Sequence, residues 1–248
     1  MSEMNVILPM GVFSGEERYR EAVIRPMTGG TQKKLAQKNI RSDSVKLLNT
    51  LLMDCVVSIP GLPRISNSAV NSLFIGDRDF LALEIRKLSK GNVLNSILTC
   101  PACKEKLRME SDLDTDIPMV LMDDLEYSVV EGMPQFTLND PDSDFSATFS
   151  FPTGEHQAQS AKYLNKNPVE GMYVMMYNTI VDWNGKGRNE ISIGVFDAID
   201  VKLSEYLMNE YQNMLPGPDF QIPADCPYCG EEMKIPLVAS DFLFRLRD

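Results

Sequence analysis

Apolar positions along this chain repeat with two different periods, and the changes between them outline the elements. From Asn5 to Pro26 two β-rich runs flank Ser14-Gly15-Glu16-Glu17, whose turn-forming residues predict a hairpin. Thr28 stands where a helix N-cap belongs, its hydroxyl placed to accept a backbone N–H, and Gln32 to Lys38 reads as the first helix. From Asp43 the period becomes helical: Val45, Leu48, Leu51, Leu52 and Cys55 form one apolar stripe, closed by Pro60-Gly61-Leu62-Pro63. Ser66 to Leu73 reads as a short helix, and Ile75-Gly76 as a turn into the most helical stretch, Asp77 to Lys90, which ends at Gly91. There Phe80, Leu81, Leu83, Ile85 and Leu88 share a broad face. Acids at the start and Arg86, Lys87 and Lys90 near the end suit the helix dipole. On this pattern Asp77, Arg78 and Asp79 are capping and surface ion-pairing residues rather than an acid–base cluster.

Between Ser111 and Thr148 acidic and turn-forming residues take over. Gln135 to Leu138 and Phe145 to Phe151 alternate as strands do, around a solvated tip at Asn139 to Asp144 that lacks the glycine and final glutamate of a calcium loop. A helix follows near Glu155 to Leu164, then an apolar stretch from Met172 to Trp183 and a polar turn at Asn184 to Gly187. Asp197 to Met214 reads as a second long helix and Pro216-Gly217-Pro218 as a spacer. Asp241 to Arg247 reads as a short terminal helix or strand that packs on the core.

These elements come twice. Arg25-Pro26-Met27-Thr28-Gly29 is echoed by Phe151-Pro152-Thr153-Gly154, and Leu52 to Val57 by Tyr177 to Asp182, both at an offset of 125 residues. Gly76 to Leu81 has a weaker counterpart in Phe196 to Val201. The echoes predict a tandem duplication within an α+β fold. One hairpin, helical and CxxC unit spans residues 1–125 and its copy 126–248, packed together about a pseudo-twofold axis.

The chemistry sits at the end of each unit, in Cys100-Pro101-Ala102-Cys103 and Cys226-Pro227-Tyr228-Cys229. Two intervening residues let both thiols of a pair grip one metal ion from a tight turn, and two such knuckles complete a tetrahedral site. The pairs lie at an offset of 126 residues, far more than the roughly 15 to 20 that separate them in an ordinary ribbon, so the duplicated fold has to bring them together. Proline after each first cysteine, hairpin-like flanks and the repeated context favour metal over disulfides or plain reduced thiols. The expectation is one structural zinc per chain, with iron the other metal open to such a site, and with Cys100, Cys103, Cys226 and Cys229 as its ligands. Cys55, in an apolar run, reads as a small buried hydrophobe.

The totals narrow the function classes. A formal charge of −11 weighs against sequence-independent nucleic-acid binding, which needs a basic face. No basic leader followed by an apolar run opens the sequence and no apolar run reaches membrane-spanning length, so a reducing cytoplasm and no membrane partner are expected. The single histidine, His156, sits at a helix start away from any nucleophile motif and reads as a surface or capping residue. No phosphate loop or serine elbow is present, and four cysteine ligands leave a metal no open position. The chain therefore reads as no enzyme and as taking no small-molecule substrate.

The hairpin leading to Arg25-Pro26-Met27-Thr28-Gly29, the Gly76-Asp77-Arg78-Asp79 helix start with Leu83 and Leu88, the Cys100–Cys103 knuckle, the second Pro-Thr-Gly and the Cys226–Cys229 knuckle together resemble the T-even phage baseplate hub assembly proteins. The resemblance spans nearly the whole chain. It implies a tail assembly factor that promotes or chaperones the baseplate hub of a contractile tail, in the host cytoplasm or retained in the particle, with hub or other tail proteins as partners. An acidic surface suits the screening of a basic client. Phe151 replaces Arg25 in the second copy, so any role of that arginine belongs to one copy only. The competing reading is a zinc-ribbon adaptor or regulator of a transcription or replication complex, which would need a basic face near Lys104, Lys106 and Arg108.

Overall fold

A computed structural model describes residues 3–15, 17–164 and 166–237 of the 248-residue chain. The expected terminal element at Asp241 to Arg247 lies outside the described residues. The fold is α+β. The chain opens with β1 (Met4–Ser14) and β2 (Glu17–Ile24), then α1 (Gly29–Leu35), α2 (Lys38–Arg41), α3 (Ser44–Cys55) and β3 (Val56–Ser58). Next come α4 (Asn67–Ser72), α5 (Ile75–Lys90) and a hairpin of β4 (Val93–Thr99) and β5 (Lys106–Asp112). After the short β6 (Met119–Val120) follow β7 (Ser128–Val130), β8 (Met133–Asn139), β9 (Ser146–Ser150), α6 (Gly154–Leu164), α7 (Pro168–Thr179), β10 (Ile180–Trp183) and β11 (Lys186–Gly187). The described chain closes with α8 (Val201–Asn213), β12 (Gly217–Pro218), β13 (Gln221–Asp225) and β14 (Glu232–Pro236).

All strand pairs are antiparallel. One sheet runs β1-β2-β3 and a second β11-β10-β9-β8-β7; β6 with β12, β4 with β5, and β13 with β14 form two-stranded pieces. In both larger sheets the strand that follows the helices returns to the second strand of the hairpin before them, β3 to β2 and β10 to β9. The cap at Thr28 is as the sequence places it, and Asp43, where the helical period begins, proves to be a second. Thr28 accepts from the Thr31 N–H at 3.1 Å and starts α1, and Asp43 accepts from the Lys46 N–H at 3.1 Å and starts α3. His156 caps too, its Nδ1 accepting the Thr153 N–H at 3.1 Å, while burial lowers its pKa.

Among the described residues two large apolar clusters form the interior, with a third, small one at the cysteines. One gathers the β1–β3 sheet, α3 and α5 around Leu51, Leu81 and Ile85. The other gathers the five-stranded sheet, α7 and α8 around Phe136, Phe149 and Tyr211, whose rings meet at centroid distances of 5.3–5.7 Å. The clusters trade residues: Met10 and Phe74 enter the second, and Ile222 and Leu237 the first. Backbone hydrogen bonds at the crossing, Ile75 N–H to the Pro152 carbonyl at 2.9 Å and Gly154 N–H to the Leu73 carbonyl at 3.0 Å, leave no gap for a separable linker.

At this crossing the structure corrects the reading of Asp77, Arg78 and Asp79. Helix α5 begins at Ile75 rather than after a turn there, and Asp77 and Arg78 are fully buried, with Asp79 half-buried. Between Ile7 and Val12 the pairing of β1 with β2 breaks, because four residues of β1 face a single residue of β2. The backbone groups freed by this bulge must be satisfied elsewhere. The Asp77 carboxylate accepts the Met10 and Gly11 N–H groups at 2.7 and 2.8 Å, and the Leu8 carbonyl accepts from Arg20 Nε at 2.8 Å. Arg18 serves the Pro9 and Met10 carbonyls, and both arginines reach Asp123. Gly11, at φ +90°, takes a backbone conformation that a side chain would strain, and a Cβ there would lie 2.6 Å from the Tyr19 carbonyl oxygen.

Burial pushes the Asp77 carboxyl up to about 6, against the pull of the Met10 and Gly11 amides and of Arg18 and Arg20. Because this folded-state pKa exceeds the ordinary 3.8, the folded protein holds the proton more tightly. The contribution of this group is therefore full below about pH 4 and is lost as pH rises through about 6, a change of about 3 kcal/mol. Denaturant melts at pH 4, 5, 6 and 7 should show a steeper loss of stability in the wild type than in Asp77→Asn. Parallel curves would remove Asp77 as the cause.

Candidate metal centre

Each cysteine pair sits in the turn of a short hairpin, and the two turns match atom for atom in their backbone bonding. The Cys100 N–H donates to the Glu105 carbonyl at 2.9 Å and the Lys104 N–H to the Cys100 carbonyl at 3.1 Å. In the second knuckle Cys226 N–H donates to Glu231 at 2.9 Å and Gly230 N–H to Cys226 at 2.8 Å. Both turns require a left-handed residue after the second cysteine: Gly230 at φ +74° and Lys104 at φ +64°. Lysine is strained there by roughly 1 kcal/mol where glycine is not. Lys104→Gly should therefore raise the melting temperature by about 2–4 °C. A lower melting temperature would mean that the Lys104 side chain, whose ammonium donates to the Pro101 carbonyl at 2.5 Å, outweighs that strain.

What carries the knuckles toward each other is the path after α8. There β12 pairs with β6, the Asp219 N–H donates to the Pro118 carbonyl at 2.8 Å, and Ile222 and Leu237 sink into the first apolar cluster. The four thiols end within 4.8 Å of one another. Cys100 and Cys229 lie 3.8 Å apart and Cys103 and Cys226 3.6 Å, sulfur to sulfur. All are free, and these distances far exceed the roughly 2.05 Å of a disulfide. They match the edges of a tetrahedron with a metal–sulfur bond of about 2.3 Å, which are about 3.8 Å long. The four cysteines can hold a metal ion.

The electrostatics agree. The Cys103 and Ala102 amides lower the Cys100 thiol to about 7, as N–H groups aimed at a sulfur favour its thiolate. The Glu105 amide favours the Cys103 thiolate in the same way, yet burial and the sulfurs of Cys100, Cys229 and Cys226 crowd it up to about 12. Four thiolates this close repel one another unless a cation lies between them. Leu107 and Met233 pack with the cysteines, and Tyr228 within the second knuckle is exposed. The other thiol, Cys55, is fully buried, and loss of water pushes it up to about 11, as its apolar run predicts.

Arg25 lies elsewhere, its Nε donating to the Asp54 carbonyl at 2.9 Å, while Phe151 is buried among Phe74 and Phe136. Asp140, Asp142 and Asp144 form the solvated β8–β9 tip, with Asp142 paired to Lys202 at 2.7 Å. A polar centre that the sequence reading missed surrounds Arg78. Its guanidinium donates to the Val70 carbonyl, to Asn49 Oδ1 at 2.8 Å and to Gln157 Oε1 at 3.4 Å, pressed against Gly154. The available signal was that Gly76-Asp77-Arg78-Asp79 stands among apolar residues on nearly every side of its helix.

The described residues thus form two interlocked apolar cores and a four-thiol cluster able to hold a metal ion, an arrangement shared with a family of structural and assembly proteins. The chain belongs to the T4 bacteriophage base plate protein family, whose model matches residues 1–243. No curated protein and no solved structure matches it. Its family makes it a baseplate-related protein that works among other phage tail proteins. Among the described residues no helix is long and apolar enough to cross a membrane.

Proposed function

We propose that the chain acts without catalysis in building the baseplate hub of a contractile tail. It binds hub or other tail proteins in the host cytoplasm, and chaperones or promotes their assembly. The family match across residues 1–243 carries this reading. Tails assembled without this chain should lack completed baseplates in electron micrographs, with assembly restored by the chain supplied separately. Normal baseplates in its absence would overturn the proposal. Mass spectrometry of purified tails decides retention, since a transient chaperone would be absent from them.

The scaffold for this role, in the same reading, is two copies of one unit, residues 1–125 and 126–248, stapled by one zinc held by Cys100, Cys103, Cys226 and Cys229. Support comes from the succession of elements: hairpin β1–β2, helices α1 and α3, strand β3, helix α5 and the β4–β5 knuckle parallel β8–β9, α6 and α7, β10, α8 and the β13–β14 knuckle. A twofold exchange of copies would convert the Cys100–Cys229 pair into Cys226–Cys103, and the two distances, 3.8 and 3.6 Å, are nearly equal. With four thiolates around it the ion has no open position, so its role is to hold the two knuckles together.

A further inference from the structure

The polar centre around Arg78 has an outer end, and its chemistry is directional. A guanidinium has only donors, so the Asn49 amide must turn its oxygen toward Arg78. Asn49 is itself buried, and its Nδ2 therefore points the other way, donating to Asn67 Oδ1 at 3.0 Å and Asn71 Oδ1 at 2.9 Å. With their oxygens turned inward, Asn67 and Asn71 direct their NH2 groups outward. The buried cation thus fixes the orientation of three amides in series and leaves donors at the surface, where among the described residues they meet no acceptor.

Those donors line a groove. Two adjoining cavities of about 700 and 450 Å³ share Asn67, Asn71 and Ala158, with α3 and α4 on one wall and α6 on the other. The walls carry small residues, Ser68, Ser72, Ala158 and Ala161, which leave room for a main chain. Charge around the larger cavity also runs against the chain as a whole. Arg41, Lys46 and Lys162 line it against a single acid, Asp43, with Glu155 on the adjoining smaller cavity, whereas the protein carries 24 basic and 35 acidic residues. Lys46 reaches Asp43 at 3.0 Å and Lys162 lies 4.8 Å over the Tyr163 ring, and both remain exposed.

We propose that this groove binds an acidic segment of a partner polypeptide, with carboxylates and backbone carbonyls accepting from Asn67 and Asn71 beneath a cationic rim. Phosphate would find the same donors, but the net charge of −11 repels a polyphosphate, and a peptide places an acceptor at every residue. The proposal rests on neither the metal nor the hub reading.

The test is fluorescence anisotropy on the full chain with a labelled eight-residue peptide alternating Glu and Ala. Matched Gln–Ala and Lys–Ala peptides and a single-stranded DNA octamer serve as the other probes. The Glu–Ala peptide should bind at least about tenfold more tightly than the others and weaken with added salt. Asn67→Asp with Asn71→Asp, which replaces outward donors by acceptors, should cost at least about tenfold in affinity. Ala158→Trp, which fills the groove and keeps the amides themselves unsubstituted, should do the same, and both variants should keep the wild-type melting temperature. No preference for the Glu–Ala peptide, or equal binding by both variants, would overturn the proposal. Preference for the DNA octamer would reassign the groove to phosphate and overturn it equally.

Discussion

Cys100→Ser should lose the bound metal and about 5 kcal/mol or more of stability, and the loss should be felt in both halves of the molecule. The physical reason is linkage: a structural ion binds only where the fold has assembled its ligands, so its binding free energy is folding free energy. Trp183 makes the second part measurable, because it is the single tryptophan and is buried in the second apolar cluster, far along the chain from Cys100. Metal content per chain should fall from one to zero, and the Trp183 fluorescence midpoint should drop together with the circular-dichroism midpoint. Chelation of the wild type should bring it to the melting temperature of the variant. An unchanged Trp183 midpoint in a metal-free variant would mean that the cluster holds only its own two hairpins and does not staple the halves.

Gly76→Ala should destabilise the protein by about 4 kcal/mol or more, lowering the melting temperature by about 10 °C. A Cβ on Gly76 would lie 1.7 Å from the Pro216 carbonyl oxygen, and one on Gly217 2.7 Å from the Gly76 Cα. These obstacles are backbone, so no change of rotamer relieves them, and α5 would have to move off the segment that leads to the second knuckle. That segment also positions Cys226 and Cys229, so the variant should bind metal more weakly as well. Gly29→Ala is the control, because nothing lies within 4 Å of its added methyl group and its helical position favours alanine. Equal melting of the two alanine variants would show that the Gly76–Gly217 contact is not tight in solution.

The contrast between these glycines illustrates what a sequence can carry. Gly29 and Gly76 both stand at a helix start, and nothing adjacent to them tells that one faces open space and the other a strand 141 residues away. The same holds for charge. Asp43 and Asp77 both precede helical stretches; Asp43 caps its own helix through the Lys46 N–H three residues on, whereas Asp77 reaches amides 66 and 67 residues back. A rule drawn from local pattern began a helix at Asp43, where the capped amide is local, and made a cap of Asp77, whose partners are not.

Sequence alone thus determined the features that depend on neighbouring residues. These are the two hairpins and their turns, the cap at Thr28, the helix start at Asp43, the capping role open to His156, the apolar stripe that ends in Cys55, and two CxxC turns whose spacing suits a shared ion. Backbone sterics and short hydrogen bonds impose these wherever the rest of the chain goes. Tertiary structure decided which charged groups are interior and which residues from the two ends meet. Burial of Asp77 and Arg78 follows from a bulge in β1 and from Asn49 and Val70, and the approach of Cys226 to Cys103 follows from packing Ile222 and Leu237 into a core built by the first half of the chain. Such contacts join residues tens to more than a hundred positions apart, and their free energy exists only once the intervening chain has closed on itself.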